Sequence, residues 1–554
     1  MYRHRASLVL ILAALAAGLY AQAAGTPPES AVPNEFVVAY NSLDVQFDPH
    51  HSIYAAEAQI FTAIYEGLFS YNPSTLEPVR SACKSFTRSR DGLTYTFYIR
   101  DEDVWSDGSP LVASDFRNAW LRALSPEEKA DYASFFDIIA GAKDFRLGKN
   151  GDPNSVGITV IGDKILQVKL ASPAAYFTRL LCHHSFSPIH PSMLKVRDWA
   201  SALPFPVDGA YIVSSCKADE LVLERNPRYW DAASVSIPRI RVLLTDDDAD
   251  VTKRFDAGEI DWLAGPMDLD ALLDRNAIQV TPMFGTQYWF FDCHNAPWSD
   301  FRVRRALALL LPWKDIRSKE AYFMPAPTLV LPFEGYNKAK GITDADANEA
   351  ASLLEQAGFP GGKGLPTIVV IAPDGSDDAK RVTGLMKDAW GKLPDLKVDI
   401  QTIPAATYFT RVRQSPSNGG YTLGLTTWIG DFADPLAFLG MFASDSNLND
   451  PGYADPQYDK LLQDSAMKDG DDRLDALADA ETYLLGAAVV MPLYHNLAAN
   501  VIDTDYIQGW YSNVLDIHPF KYLAFGERAV RPNVAALAPT ALVAASAAAC
   551  GLAY

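Results

Sequence analysis

The sequence lacks the short motifs that mark the large enzyme classes. Among its 554 residues there is no G-x-S-x-G elbow, no G-x-x-x-x-G-K-S/T phosphate loop, no G-x-G-x-x-G fingerprint and no H-E-x-x-H motif. His50 is followed by His51, and His183 by His184, but neighbouring side chains on a strand or helix point in different directions. We interpret these histidines as structural or surface residues, and the sequence predicts no catalytic residue, no metal and no cofactor.

Cysteine and positive charge are also scarce. The five cysteines show no C-x-x-C spacing, which argues against a zinc ribbon and against a disulfide-dense scaffold. They allow at most two bridges, and a buried free thiol is an equal alternative for each of them. The 48 Lys and Arg against 68 Asp and Glu give a net charge of −20, which would repel nucleic acid and anionic membranes. A nucleic-acid partner is therefore not expected.

The sequence contains no long uninterrupted hydrophobic run. Residues 1–23 combine Arg3 and Arg5, the apolar residues 8–19 and the small-x-small string of residues 21–23, which is typical of a cleavable signal peptide. The alternative, a transmembrane anchor, needs roughly 20 apolar residues. No cysteine lies in the first 80 residues to carry a lipid anchor. We therefore predict an exported, periplasmic protein, with residues 526–554, an Ala-rich tail, as a poorly ordered extension.

Strand and helix patterns alternate along the rest of the chain and predict an α/β fold class. Strands are predicted at residues 35–40, 94–100, 367–371 and 397–403, and a hairpin at residues 159–170. Apolar residues at helical spacing extend from Ile60 to Leu68 and follow Ser114. Further helices are predicted at residues 303–311, 348–356, 378–390 and 472–485. No fixed-period repeat is present, which argues against a solenoid or a propeller.

Several distinctive strings follow one another in a fixed order. They are residues 43–50, 64–68 (IYEGL), 104–116 (VWSDGSPLVASDF), 208–211 (DGAY), 223–231 (LERNPRYWD), 258–261 (GEID), 301–307 (FRVRRAL) and 431–435 (DFADP). Residues 34–524 thereby resemble the oligopeptide-binding proteins of ABC importers, extracellular solute-binding protein family 5. On physical grounds most of these strings indicate architecture, because they place buried aromatics beside turns and strand ends.

The resemblance implies a two-lobe periplasmic binding protein fold of the large, oligopeptide-binding type, with a hinge between the lobes and an extra subdomain. Lobe I would comprise residues 34–69, 188–284 and 500–525, the family-specific subdomain residues 70–187, and lobe II residues 285–499. Such a protein performs no covalent chemistry. It would capture a peptide as a monomer and pass it to the permease of an ABC importer, which works with ATPase subunits.

The resemblance also implies ligand-binding residues. Asp431 matches the aspartate that pairs with the α-amino group of the ligand, and Trp428 matches an aromatic wall of the same site; the alternatives are a solvated loop carboxylate and a core tryptophan. Candidates of lower rank are Tyr132, Tyr54, Ala55, Tyr494, His495, Asn496 and Arg413. For Arg413, as for Arg411, an exposed arginine is the alternative interpretation.

Two departures from the family pattern leave the ligand open. Ala264 and Gly265 replace a Tyr-Asn pair, and Leu425 replaces an arginine. Recognition of a ligand carboxylate is therefore in doubt, and a dipeptide, a nickel complex, haem or an oligosaccharide remains an alternative solute within the same fold. An exported hydrolase and a chaperone-like binder are alternatives of a different class.

Overall fold

The computed structural model describes residues 35–527 except 53–54, 175, 319–323 and 414–419. The predicted signal peptide, residues 1–23, lies outside the described residues, and so do residues 528–554 of the predicted tail. Within the described residues no helix is both long and apolar enough to cross a bilayer.

Strands and helices alternate irregularly along the described chain, so the predicted α/β class is confirmed. The strands are β1 (Phe36–Tyr40), β2 (Phe69–Tyr71), β3 (Pro78–Arg80), β4 (Cys83–Arg88), β5 (Thr94–Ile99), β6 (Ile158–Val160), β7 (Ile165–Lys169), β8 (Tyr211–Cys216), β9 (Glu220–Arg225), β10 (Arg239–Leu244), β11 (Trp262–Leu263), β12 (Ile278–Phe291), β13 (Met324–Pro325), β14 (Ile368–Pro373), β15 (Val398–Ile403), β16 (Leu423–Ile429), β17 (Val490–Ile502), β18 (Ile507–Gln508) and β19 (Ala524–Phe525).

The α-helices lie between these strands and after them. They are α1 (Ala55–Ile64), α2 (Ala113–Leu124), α3 (Ala142–Arg146), α4 (Phe177–Leu180), α5 (Asp248–Asp256), α6 (Phe301–Leu309), α7 (Trp313–Ile316), α8 (Ala347–Gln356), α9 (Asp377–Trp390), α10 (Ala405–Arg413), α11 (Leu436–Leu439), α12 (Pro456–Ala466) and α13 (Gly470–Gly486).

Among the described residues, eleven strands form one mixed sheet in the order β15-β14-β16-β12-β17-β11-β1-β10-β9-β8, with β13 beside β17. The long strands β12 and β17 run antiparallel in its middle, and their register shifts between Pro282 and Thr286. Before the shift β12 pairs with the end of β17 that continues to β11, and after it β12 also pairs with β16. These two strands therefore join the two halves of the sheet. A second sheet, β4-β5-β7-β6, lies within residues 83–169.

Strand β1 is buried on both faces, as its uninterrupted apolar sequence requires. Phe36 and Val38 pack into the main core, whereas Val37 and Ala39 pack into a smaller core on the opposite face. The strand runs parallel to β10 and β11. Parallel strands covered on both faces have this kind of sequence, whereas half-buried antiparallel strands alternate apolar and polar residues.

The predicted hairpin is formed by β6 and β7, and the predicted later helices and strands are confirmed to within two residues at each end. The helical prediction through Leu68 is wrong at its end, because α1 stops at Ile64. The amide of Gly209 donates to the Ile64 carbonyl at 2.9 Å, and a Cβ on Gly209 would lie 2.4 Å from the Ile64 carbonyl carbon. This close crossing of a second chain segment ends the helix.

The tryptophan motif at residues 104–116 is a structural unit. Trp105 is fully buried, and its indole N–H donates to Asp115 at 3.1 Å. The same carboxylate accepts from the Val112 amide at 3.1 Å and thus caps the first turn of α2. Because this motif fixes a turn against a helix N-terminus, its residues support the fold and not a ligand.

Three of the other motifs meet at the buried Glu66. The Glu66 amide donates to Asp208 at 3.1 Å, and the Tyr229 hydroxyl donates to the Glu66 carboxylate at 3.0 Å. Lys521, near the C-terminal end of the described chain, donates to both carboxylate oxygens at 2.9 and 3.1 Å. Segments far apart in sequence are thereby tied together by one buried ion pair. Burial raises the pKa of Asp208, and the nearby acidic group of Asp103 raises it further.

Candidate functional site

A cavity of ≈ 220 Å³ lies between the end of α1, strand β2 and the strands β12 and β16. Its lining is largely aromatic and apolar, which suits the body of an organic ligand. Its charged lining residues are few: Glu66, Arg413, Asp431 and Asp450. Glu66 is already neutralised by Lys521. The cavity therefore carries more negative than positive charge.

Asp431 is held at the cavity by the chain on both sides of it. The Gly430 amide donates to the Phe284 carbonyl of β12 at 2.7 Å, and the Tyr71 hydroxyl donates to the Asp431 carbonyl at 3.2 Å. Three residues on, the Asp434 carboxylate accepts two hydrogen bonds from Arg473 of α13, at 2.8 and 2.9 Å. The second aspartate of the DFADP string thus fixes the loop, which leaves the first one free to face the cavity.

The Asp431 carboxylate is buried and incompletely satisfied. Its Oδ2 atom has no hydrogen-bond partner among the described residues, and its Oδ1 atom lies 3.6 Å from His183 Nε2. Burial raises the pKa of Asp431 to about 7, partly offset by hydrogen bonding from the Tyr132 hydroxyl. An ionised carboxylate without a counter-charge in such a place is costly, and a ligand cation removes that cost.

His183 and His184 line the same cavity, which corrects the prediction that neighbouring histidines diverge. Their ring centroids lie 4.0 Å apart, because both belong to a tight turn and not to a regular helix or strand. Burial lowers the pKa of His183 to about 3 and also lowers that of His184. Both rings are therefore neutral at physiological pH and leave the Asp431 charge uncompensated. The sequence offered no signal for their place beside Asp431.

The structure brings four of the predicted site residues to one cavity. Asp431, Trp428, Tyr132 and Arg413 line the cavity. Trp428 is anchored through its indole N–H, which donates to the Ala437 carbonyl at 2.9 Å. Tyr54 lies outside the described residues, and Ala55 is the first residue of α1.

Tyr494, His495 and Asn496 are not among the residues that line the cavity. The Tyr494 hydroxyl donates to the Ile316 carbonyl at 2.7 Å, and His495 Nδ1 lies 2.9 Å from the Thr286 hydroxyl. Consecutive side chains of a strand point to opposite faces, so these neighbours on β17 could not all face one ligand.

Leu425, at the position where the family pattern has an arginine, is also buried away from the cavity. Its carbonyl accepts from the Tyr408 hydroxyl at 2.8 Å.

Comparisons with known proteins agree with this architecture. The sequence model of the family described as "Bacterial extracellular solute-binding proteins, family 5 Middle" matches residues 77–450. The chain is 30% identical over 515 residues to the periplasmic oligopeptide-binding protein OppA of Salmonella typhimurium, covering 89% of this chain and 93% of that protein. It is 29% identical over 452 residues to the oligopeptide-binding protein OppA of Bacillus subtilis, covering 78% and 82%.

Solved structures show the same fold. The Escherichia coli murein tripeptide-binding protein MppA is similar with a TM-score of 0.77 and 23% identity, covering 90% of this chain and 100% of that one. Haemophilus influenzae OppA, in complex with RPPGFSPFR, is similar with a TM-score of 0.77 and 23% identity, covering 89% and 99%. The predicted two-lobe periplasmic binding protein fold, with its hinge and extra subdomain, is thereby confirmed. The predicted lobe boundaries stay predictions.

Proposed function

This chain belongs to the bacterial extracellular solute-binding proteins of family 5, and from that premise we propose that it captures peptides between its two lobes and delivers them to the permease of an ABC importer. The observation that supports this proposal most directly is Asp431. Its buried carboxylate faces the cavity with one oxygen unpartnered among the described residues, as a receptor for a charged N-terminal amine would require.

The surroundings of Asp431 favour an amine over other polar groups. The neutral rings of His183 and His184 supply no positive charge, and the Tyr132 hydroxyl approaches from the same side. A cation placed here gains an ion pair with a largely buried carboxylate, whereas a neutral sugar hydroxyl would leave the carboxylate charge unbalanced. Among the alternative solutes, peptides and other amines therefore fit best.

The rest of the cavity suits a ligand of variable sequence. Phe61, Tyr65, Tyr288, Phe290 and Met441 line it with apolar surface. Such surfaces accept many side chains, and methionine adapts its shape to them. Selection would then depend on the peptide ends and on charge.

Binding without chemistry is the proposed mode of action. The cavity does contain a cysteine, Cys182, but burial raises the pKa of its thiol, so that little reactive thiolate forms. We propose in addition that the protein acts as a monomer and that residues 1–23 direct its export and are then removed. N-terminal sequencing of the exported protein tests the cleavage, and light scattering tests the monomer.

Titration calorimetry tests the peptide site. Trialanine should bind the wild-type protein, and Asp431→Asn should weaken binding at least ~30-fold, because the ligand amine would stay desolvated and unpaired. Acetylation of the peptide amine, in N-acetyl-trialanine, should reduce the affinity of the wild-type protein by a similar factor. It should reduce the affinity of Asp431→Asn only slightly, because this variant no longer forms the ion pair. The matched control is Asp472→Asn, which removes an exposed charge at the start of α13.

Two results would contradict the proposal in different ways. Equal affinity of the wild type and Asp431→Asn for trialanine would remove Asp431 from the amine site. Failure of a broad peptide library to bind, while a metal chelate, haem or an oligosaccharide binds, would keep the fold but replace the ligand class.

A further inference from the structure

A second carboxylate, that of Asp450, faces the same cavity. It is half-buried, and its chain is held by the Cys293 amide, which donates to the Pro451 carbonyl at 2.8 Å. No described residue donates a hydrogen bond to the Asp450 carboxylate, and burial raises its pKa. No motif in the sequence pointed to a role for this residue.

The cation that acts on the Asp450 charge is already engaged. Arg413 lowers the pKa of Asp450 by its charge, but its guanidinium donates to Asp131 at 3.3 Å. One positive charge is thus shared between two carboxylates. Burial raises the pKa values of Tyr288 and Tyr421, and the Asp450 charge raises both further. Near Tyr421, Asp292 adds another negative charge and Arg411 a positive one. This end of the cavity is therefore left with a net negative charge.

This surplus of negative charge bears on the question of a ligand carboxylate. A free C-terminus docking on Arg413 would approach Asp450 and would compete with Asp131. Leu425, which replaces the arginine of the family pattern, supplies no further cation. The end of the cavity at Asp450 thus fits a cation better than an anion.

Asp450 and Asp431 lie at different ends of β16. Pro451, next to Asp450, accepts from the amide of Cys293, which lies two residues after Phe291, the partner of the first residue of β16, Leu423. Asp431 lies two residues after the last residue of the strand, Ile429. The strand rises about 3.3 Å per residue, so the six steps from Leu423 to Ile429 span about 20 Å. Two groups this far apart cannot bind the same amine.

The wall beside Asp450 matches a long basic side chain. Tyr288, Phe290, Val412, Met441 and Leu448 line the cavity with apolar and aromatic surface. The aliphatic stem of lysine or arginine packs on such surface while its charge reaches a carboxylate, and the aromatic faces attract the cation as well.

We propose that Asp450 receives a basic side chain of the bound peptide, so that the cleft selects short peptides carrying a second cation in addition to the N-terminal amine. This inference rests on the proposed function of the cleft. It adds a specificity-determining residue at the end of the cavity remote from Asp431.

A lysine scan tests the proposal. Tetra-alanine is compared by calorimetry with peptides that carry lysine, norleucine or glutamate at position 2, 3 or 4. Norleucine retains the aliphatic stem without the charge. At one position or more, lysine should bind at least ~10-fold more tightly than norleucine, and glutamate should bind more weakly than either. The scan also locates the position, because it samples the span between the two carboxylates.

Three variants separate this proposal from the general one. Asp450→Asn should reduce the lysine-to-norleucine ratio to about 1. Asp431→Asn should weaken both peptides but keep the ratio, and the exposed control Asp472→Asn should also keep it. Circular dichroism and thermal unfolding establish that each variant is folded.

The outcomes are distinguishable. Equal binding of lysine and norleucine peptides to the wild type overturns the role of Asp450 while leaving peptide capture intact. Persistence of the lysine preference in folded Asp450→Asn overturns it as well. If no tetrapeptide binds the wild type, peptide capture fails, and the inference fails with it.

Discussion

Acidification should weaken the binding of a neutral peptide through protonation of Asp431. Burial raises the pKa of this carboxyl to about 7 in the ligand-free cleft, whereas a bound amine requires the ionised form. Binding should therefore be strongest above pH 7 and should weaken as the pH falls, because the ligand must displace a proton. Because the pKa of Asp431 is raised in the ligand-free protein, the carboxyl is mostly protonated below about pH 7, and the protonated form does not pair with the amine.

The magnitude follows from the pKa. With a value of about 7, about half of the Asp431 carboxyls are ionised at pH 7.0 and about 3% at pH 5.5, so affinity should fall about 16-fold between these values. His183 stays neutral over this range because its pKa is lowered to about 3. The peptide amine stays protonated, since its pKa is near 8.

Calorimetry of a neutral peptide such as trialanine at both pH values provides the measurement. Repeating it in buffers of different ionisation enthalpy counts the protons released, which should approach one per peptide at pH 5.5. Asp431→Asn should show no such dependence. An affinity of the wild type that stays constant from pH 7.0 to pH 5.5 would refute the reasoning, because it would mean that the free carboxyl is already ionised.

Three further predictions concern stability and are measured by urea unfolding. Arg473→Gln should lower the free energy of unfolding by about 3–5 kcal/mol, because Asp434 is left buried and unpaired; an unchanged value would mean that this pair is solvated. Lys521→Met should lower the free energy of unfolding by a similar amount, because Glu66 is left buried without its counter-charge. Adding Glu66→Gln to this variant should restore much of the lost stability. No restoration would mean that the broken ion pair is not the cause. Burial raises the pKa of Asp103 to about 7, so the wild type loses stability as the pH rises from about 4 to about 7. Asp103→Asn lacks this titrating group. Its free energy of unfolding, relative to that of the wild type, should therefore rise by about 3 kcal/mol from pH 5 to pH 8. A difference that does not change with pH would contradict that shift.

Local patterning was sufficient to predict the regular elements. The apolar run of β1 and the amphipathic stretch of α9 each satisfy one periodicity without competition, and both were found. The end of α1 was not, because it is set by Gly209, which reaches Ile64 only in the folded chain. An element that is ended by a distant segment leaves no mark in its own sequence.

The site was predictable only in part, for a similar reason. Asp431 and Trp428 sit in a recognisable string, and the structure brings both to the cavity. His183 and Asp450 come from separate loops, and only the packing of distant segments places them there. The ligand-binding role of Tyr494 and its neighbours stays a prediction, although the alternation of side chains along β17 prevents all three from facing one ligand.

The backbone of Phe284 connects the predicted lobe I to the segment that carries Asp431. Phe284, at the register shift of β12, donates to the Val514 carbonyl and accepts from the Gly430 amide, each at 2.7 Å. A rotation of one half about this point therefore also displaces the residue that precedes Asp431. We expect the open form to have a misaligned carboxylate as well as a wider entrance. If the permease separates the lobes, the same movement would therefore also release the bound ligand.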